Sequence, residues 1–357
     1  MAWEMIEDLV ICSYCKPYHK YRSRFKKKAN KVMYLKSIII GLVYISSVML
    51  HSLAYANDKV GTLSSISDVA LPNGLVAYID PVEGAIYEVN MNGVVTWKYK
   101  IPSKIKNRGS LRHGADIEWL KDNDHFLFVV PKAGIYEVNR QKEIVWFYET
   151  RLVSHDADRL PNGNTIFVNA WDRPGDKQVV EITPEGKMVF EWKIADIGLA
   201  CSDKTADCTH INAVQKFADG SFLVSLRDLN EVVLIDKNLE VIERYQGIRL
   251  VHDPLFMDDQ IIAVARRLGL VSRGHKHLSS KKESTILLRY VENGYRFLRT
   301  NELISDDNIL LTGTRHLLIF NLTLKKIIWK IKLDGFGDQK SNKKLPFLYK
   351  AAWVSKK

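Results

Sequence analysis

The sequence predicts an all-β protein, a six-bladed β-propeller preceded by an N-terminal signal segment. Three observations lead to this prediction. A unit of about forty to fifty residues recurs six times, each unit reads as four short strands joined by tight turns, and no stretch shows a helical pattern. A two-sheet sandwich is the competing architecture, but a sandwich does not repeat its sequence at a fixed period.

Each repeat runs from a polar or histidine-containing start to a tight turn and then into alternating strands. The turn of the first repeat is Pro72-Asn-Gly74, where glycine supplies the positive φ that a hairpin turn needs. A basic stretch at 266–282, which we interpret as a solvated loop, interrupts the fifth repeat. Residues 346–354 are expected to return to the first blade as its missing strand. In order, the repeats cover residues 67–97, 113–146, 155–192, 210–245, 252–297 and 305–329.

The N-terminal segment carries more than half of the formal net charge. Nine basic and three acidic residues give the first 56 positions +6 of the total +11. The basic residues precede an apolar stretch at 37–50 and the site Ala54-Tyr-Ala56, a combination typical of a secretory signal peptide. We therefore divide the chain into a basic extension or mis-assigned start at 1–32, a signal peptide at 33–56 and one propeller domain at 57–357.

Export to the periplasm or the medium follows from a cleaved signal. The alternative is a retained anchor, in which residues 37–50 hold the protein at the membrane, although a spanning helix needs about 20 apolar residues. The exported body is only mildly basic, which gives no indication of a nucleic-acid partner. Its two cysteines, Cys201 and Cys208, flank a polar loop, and an oxidising compartment would join them in a disulfide.

Histidines occupy the same place in four successive repeats. These are His113, His155, His210 and His252. Because equivalent positions of propeller blades converge on one channel, we expect the four rings to face one another at its mouth. A lone histidine of this kind is usually structural, but four in phase, with Asn212 and Arg227 nearby in the chain, favour a site. Imidazoles and a guanidinium together suit a tetrahedral oxyanion.

A metal site is the alternative use of a histidine cluster, with zinc, copper or iron as the ion. An arginine in the same pocket repels a cation, however. Asp156 and Asp253 directly follow their histidines, so on a strand they point to the opposite side and make turn or inter-blade contacts rather than ligating a metal. The sequence therefore favours an anion site over a metal-dependent hydrolase or lyase.

Three runs, at 155–164, 209–213 and 225–229, together resemble the bacterial arylsulfate sulfotransferase family, with the best similarity over about residues 110–260. The most distinctive feature is His-x-Asn followed by Leu-Arg one strand later. Members of this family are periplasmic six-bladed propellers that move a sulfuryl group between phenols through a sulfated histidine. The resemblance implies a phenolic sulfate ester as donor, a phenol as acceptor and no cofactor.

The resemblance also implies roles for single residues. His252 matches the nucleophile, and His155 or His113 would protonate the leaving oxygen and later deprotonate the acceptor. We also assign Arg112 and His113 to substrate binding. The group that holds the sulfuryl oxygens is matched by His210, Asn212 and Arg227. The alternative is a non-catalytic propeller that binds a ligand or a partner protein, because a fold does not guarantee an activity.

Overall fold

The computed structural model describes residues 58–66, 68–112, 114–169, 177–198, 209–257, 260–265, 268–274, 285–290, 298–335 and 348–355. Within these ranges, two short helical segments, α1 (Ser103–Lys106) and a 3₁₀ turn (Ile194–Ile197), accompany the strands, although the sequence showed no helical pattern. No helix of this described part is long and apolar enough to cross a membrane. The strands are β1 (Gly61–Ile66), β2 (Gly74–Asp80), β3 (Ala85–Val89), β4 (Val95–Lys100), β5 (Ile117–Leu120), β6 (His125–Val130), β7 (Gly134–Val138), β8 (Ile144–Glu149), β9 (Val153–Arg159), β10 (Thr165–Asn169), β11 (Val179–Ile182), β12 (Met188–Trp192), β13 (Ile211–Lys216), β14 (Phe222–Leu226), β15 (Glu231–Ile235), β16 (Val241–Gln246), β17 (Val251–Met257), β18 (Gln260–Ala265), β19 (Gly269–Gly274), β20 (Thr285–Leu288), β21 (Leu298–Ser305), β22 (Asn308–Gly313), β23 (His316–Asn321), β24 (Lys326–Leu333) and β25 (Ala351–Ser355).

Six antiparallel sheets form the blades of a β-propeller, numbered I to VI in chain order. Blades II to V each consist of four consecutive strands, from β5–β8 to β17–β20, and the first strand of each is innermost. The innermost strands contact their neighbours around the whole ring, from β25 through β5, β9, β13, β17 and β21 back to β25. The predicted six-bladed β-propeller is therefore confirmed.

Blades I and VI are completed by strands from distant parts of the chain. β25 pairs with β2 as the innermost strand of blade I, in register from Gly74↔Ser355 to Tyr78↔Ala351. This confirms the expected return of the chain to blade I for the described residues from 348 onward. β1 pairs with β24 as a fifth, outermost strand of blade VI. Backbone hydrogen bonds therefore close the ring in addition to side-chain packing.

The structure of the fifth and sixth repeats differs from the prediction made from the sequence. The basic stretch at 266–282 is not simply a loop, because it contains β19, the third strand of blade V. The buried side chains of Leu270 and Val271 explain this strand, which its flanking glycines and basic residues concealed. The innermost strand of blade VI, β21, begins before the predicted repeat and carries no histidine.

The hydrophobic core lies between the blades. In the described part of the chain, six clusters of buried apolar side chains each join two neighbouring blades. Trp192 of blade III, for example, packs edge-on against Phe222 of blade IV, with 6.0 Å between ring centroids. The indole N–H of Trp97 donates to the carbonyl of Arg140 in the next blade at 3.0 Å. This packing sets the angle between blades and so holds the innermost strands around one channel.

Several sequence predictions concern residues outside the described ranges. They are the basic extension at 1–32, the signal peptide or anchor at 33–56, the Cys201–Cys208 disulfide and the position of His113. These stay predictions.

Candidate functional site

Three of the predicted histidines come together where the innermost strands of neighbouring blades begin. His155 lies on β9, His210 immediately precedes β13, and His252 lies on β17. The rings of His155 and His210 stack with 5.4 Å between centroids. The ring of Tyr349, just before β25, stacks on His155 at 5.3 Å and lies 6.5 Å from His252. Four rings from four blades therefore share one site.

Two of these histidines each face an arginine through Nε2. Arg227 Nη1 lies 2.5 Å from Nε2 of His210, and Arg299 Nη1 lies 3.3 Å from Nε2 of His252. A guanidinium only donates hydrogen bonds, so each Nε2 holds a lone pair and each Nδ1 holds the hydrogen. The Leu250 carbonyl, which accepts from Nδ1 of His252 at 2.9 Å, sets the same tautomer independently.

The backbone beside these histidines is strained. His210, Leu250 and Asp253 have φ angles of +47°, +50° and +35°, in a region that residues other than glycine rarely adopt. The side-chain oxygen of Asn230 accepts from the Leu250 N–H at 2.8 Å and holds the residue whose carbonyl orients His252. Strain of this kind clusters at functional sites, where the surrounding structure supports it.

The three imidazoles are neutral at pH 7. Burial, followed by the charge of Arg227, lowers the pKa of His210 to about 4. Burial lowers the pKa of His155 and of His252 well below the ordinary value, and for His252 the Arg299 guanidinium lowers it further. A neutral imidazole has a lone pair to attack an electrophile, whereas a protonated ring has none. The site therefore holds these histidines in the neutral form.

Asn212 lies among these groups and connects three blades. Its Nδ2 donates to the carbonyl of Val251 at 3.3 Å, and its Oδ1 accepts from the Tyr349 hydroxyl at 3.4 Å. The same amide thus supports the strand that carries His252 and the segment that carries Tyr349. Burial raises the pKa of the Tyr349 phenol, which stays protonated.

A buried ion cluster adjoins the histidine site. Lys350 Nζ lies 3.1 Å from Asp116 Oδ1 and 3.8 Å from Asp253 Oδ2, and it also contacts the carboxylate of Asp156. Burial disfavours the charged ammonium, but these carboxylates outweigh burial and hold the pKa of Lys350 well above its ordinary value. Asp156 also accepts the Val214 N–H of blade IV at 2.7 Å. Asp156 and Asp253 therefore make inter-blade contacts, one of the two roles that the sequence predicted for them.

A cavity of about 240 Å³ opens on this cluster along the inner strands. Burial raises the pKa of Glu118 and of Glu302, both in its wall, to about 8. Each also accepts a backbone N–H of the next blade, Glu118 from Arg159 at 2.9 Å and Glu302 from Trp353 at 2.8 Å. These carboxyl groups therefore serve to join blades.

Sequence reasoning missed Arg299, Tyr349 and Lys350. Tyr349 and Lys350 could have been anticipated from the sequence, because they precede the strand that completes blade I. That strand is the innermost one, so the residues at its start must lie near the channel. Arg299 had no such signal, since β21 lacks the histidine that marked the other repeats. Arg112, assigned to substrate binding, is exposed in the segment before β5.

No group of three or more His, Cys, Asp or Glu side chains within the described ranges is arranged to hold a metal ion. In the site itself, the Nε2 lone pairs of His210 and His252 both accept hydrogen bonds from arginines.

Comparison with protein families finds a match within the chain. Residues 165–263 match the family described as arylsulfotransferase (ASST). The matched segment contains His210, Asn212, Arg227 and His252 and stops short of Arg299 and Tyr349. No curated protein sequence matches this chain.

Comparison with solved structures concerns the fold alone, because the sequence identities are low. A protein of unknown function from Bacteroides caccae is 13% identical, with a TM-score of 0.57 over 80% of this chain and 100% of that one. A streptogramin B lyase is 12% identical, with a TM-score of 0.49 over 77% and 83% of the two chains. Virginiamycin B lyase from Staphylococcus aureus is 14% identical, with a TM-score of 0.45 over 76% and 79%.

Proposed function

We propose that this arylsulfotransferase-like six-bladed propeller transfers a sulfuryl group from a phenolic sulfate ester to a phenol through a sulfohistidine on His252. The observation that carries the proposal is the state of His252, which is neutral, 4% exposed and held in one tautomer by the Leu250 carbonyl, with Nε2 directed at Arg299. The match to the arylsulfotransferase family supports the sulfuryl chemistry. The predicted export signal would place the reaction in the periplasm or outside the cell.

In the first half-reaction, the lone pair on Nε2 of His252 attacks sulfur. The N–S bond forms, the S–O bond to the aryl group breaks, and the phenolate leaves with the electron pair. The imidazole keeps its proton on Nδ1, so the ring becomes cationic, and the Leu250 carbonyl stabilises it through the existing hydrogen bond. Arg227 and Arg299 hold the sulfuryl oxygens, whose charge they balance in the transition state.

In the second half-reaction, the oxygen of the acceptor phenol attacks sulfur. The S–N bond breaks, and its electron pair returns to Nε2 of His252, which restores the resting tautomer. The acceptor loses its proton as the new S–O bond forms. We assign this proton to His155, which accepts it as a neutral base and then releases it to the departed phenolate or to water. The ring of His155 stacks on Tyr349 and on His210 within the site.

The test of this function uses 4-nitrophenyl sulfate as donor and phenol as acceptor. We expect release of 4-nitrophenolate and formation of phenyl sulfate, both unaffected by a chelator. With the acceptor omitted, the intact-protein mass should increase by one sulfuryl group. Absence of turnover and of the adduct with any aryl sulfate would favour a non-catalytic binding propeller. Loss of turnover on chelation would favour a metal-dependent hydrolase or lyase.

Replacement of His155 by phenylalanine tests the proton transfer, because phenylalanine keeps a ring in the stack but carries no proton. With 4-nitrophenyl sulfate as donor, we expect kcat/KM for the acceptor to fall about tenfold more with phenol than with the more acidic 4-cyanophenol, because general base catalysis matters most for an acceptor that is still protonated. The ratio of the two rates, measured on one preparation of the variant, does not depend on how much of it is folded. An equal loss with both acceptors would contradict this role.

A further inference from the structure

Arg299 lies next to the reacting nitrogen but outside the matched family segment. It is half-buried on β21, the innermost strand of blade VI. Its Nη1 is 3.3 Å from Nε2 of His252, and its guanidinium carbon is 5.8 Å from the centroid of the Tyr349 ring. Its charge also contributes to the lowered pKa of all three histidines in the site. A residue so placed bears directly on the chemistry of His252.

In the free protein, the hydrogen bond from Arg299 occupies the ring nitrogen of His252 that has to react. Nδ1 of His252 donates to Leu250, so the lone pair on Nε2 is the one that must attack sulfur. That lone pair accepts the Arg299 hydrogen bond in the free protein. We call this hydrogen bond the cap, because Nε2 of His252 cannot attack sulfur until the Arg299 guanidinium moves.

We infer that Arg299 is a further catalytic residue, which caps Nε2 of His252 in the free protein and leaves it for the sulfuryl oxygens when the donor binds. This inference rests on the proposed transferase function. Both hydrogen bonds have the charged guanidinium as donor, but the sulfuryl oxygen carries negative charge and the imidazole is neutral. The sulfuryl oxygen is therefore the stronger acceptor and competes well for Arg299. A neutral ester would not draw the guanidinium away. The cap therefore selects anionic sulfate esters as donors.

Arg227 and Arg299 approach the site from different blades. Arg227 follows β14 in blade IV and bonds His210, and its Nε also lies 3.2 Å from Asp228 Oδ1, which neutralises part of its charge. Arg299 brings a second guanidinium from blade VI. Two cations on two sides of one sulfuryl group hold it at the position where Nε2 of His252 becomes free.

The first test compares Arg299→Gln and Arg299→Lys in the full protein, with the exposed Arg151→Gln as the matched control. We expect kcat/KM for 4-nitrophenyl sulfate to fall about 10²-fold to 10³-fold in Arg299→Gln, less in Arg299→Lys, and not at all in Arg151→Gln. Loss of the positive charge raises the pKa of His252, so the acid limb of the kcat/KM profile should move to higher pH in Arg299→Gln and return in Arg299→Lys. A merely structural role would lower activity without moving this limb.

The second test follows the cap without turnover. The side-chain ¹⁵N signals of His252 are titrated with acid and with inorganic sulfate in the wild-type protein and in Arg299→Gln. We expect a higher pKa for His252 and a sulfate Kd that is increased at least about tenfold in the variant, in line with the loss of a charge-assisted bond. An unchanged pKa and Kd, or unchanged kcat/KM, would overturn the inference.

These outcomes separate the inference from the proposed function. If wild-type protein transfers sulfate and Arg299→Gln does so equally well with the same acid limb, the transferase stands and the role of Arg299 is wrong. If no aryl sulfate reacts with the wild-type protein, the transferase is wrong, and the ¹⁵N titration alone decides whether Arg299 caps His252 and binds the anion.

Discussion

Substitution of His252 by glutamine is expected to lower kcat/KM for sulfuryl transfer by about 10⁴-fold or more and to abolish the sulfuryl adduct on the protein. Glutamine fills much of the space of histidine but has no nucleophilic nitrogen, because its amide lone pair is delocalised. The measurements are turnover of 4-nitrophenyl sulfate with phenol and the intact-protein mass without acceptor. His125→Gln is the matched control, since His125 pairs with Glu137 at 2.7 Å on an unrelated part of blade II.

The comparison with His210→Gln makes this prediction specific. His210 also faces an arginine through Nε2, so it is the one other histidine of the described site with the same construction. We expect His210→Gln to form the adduct on His252 more slowly, because only an oxyanion-binding group is lost. An adduct that persists in His252→Gln and disappears in His210→Gln would exchange the roles of the two residues.

Replacement of Lys350 by methionine is expected to destabilise the folded protein by about 3–5 kcal/mol at pH 7, because it leaves buried carboxylates without their cation. Asp116, Asp156 and Asp253 come from blades II, III and V and meet Lys350 just before β25 of blade I. Chemical denaturation measures the loss. Lys100→Met, the same change at an exposed position of β4, should alter the free energy of unfolding by less than about 0.5 kcal/mol.

The pH dependence of the stability of Lys350→Met tests whether buried carboxylates without a cation cause the destabilisation. Burial raises the pKa of Asp116 to about 6 and that of Asp253 well above its ordinary value, and the charge of Lys350 opposes both shifts, so without the ammonium these two folded-state pKa values are expected to rise further. A carboxyl group with a raised folded-state pKa supports folding at low pH and loses that contribution as the pH rises through this range. The free energy of unfolding of the variant should therefore be closest to that of the wild type near pH 5, and the difference should be largest at pH 7 and above. Adding Asp156→Asn should recover part of the loss, and a destabilisation equal at all pH values would contradict the explanation.

Much of the fold was predictable because a propeller repeats its sequence. The third repeat shows this, since the repeat predicted at 155–192 corresponds to the four strands of blade III, from β9, Val153–Arg159, to β12, Met188–Trp192. The prediction failed for β19, where two apolar residues between glycines lie in a basic stretch. Burial of Leu270 and Val271 between neighbouring strands outweighs that local signal.

The candidate site was predictable only in part. The in-phase histidines indicated which blades contribute, and the structure brings His155, His210 and His252 together. Tyr349 could have been anticipated from the strand that completes blade I. Arg299 could not, because its place beside His252 depends on contact between blades V and VI and on residues 47 positions apart in the chain.

The sequence by itself determined that this protein has six blades and that histidines from successive blades meet at one channel. The physical reason is that a repeated pattern of turns and alternating strands places equivalent side chains equally around one axis. Only the tertiary structure decided which partners the ring nitrogens of His210 and His252 have, and therefore which of their nitrogens carries the lone pair. Those partners, the Leu250 carbonyl and the arginines of two blades, are set by strained backbone and by packing between blades, which no local pattern records.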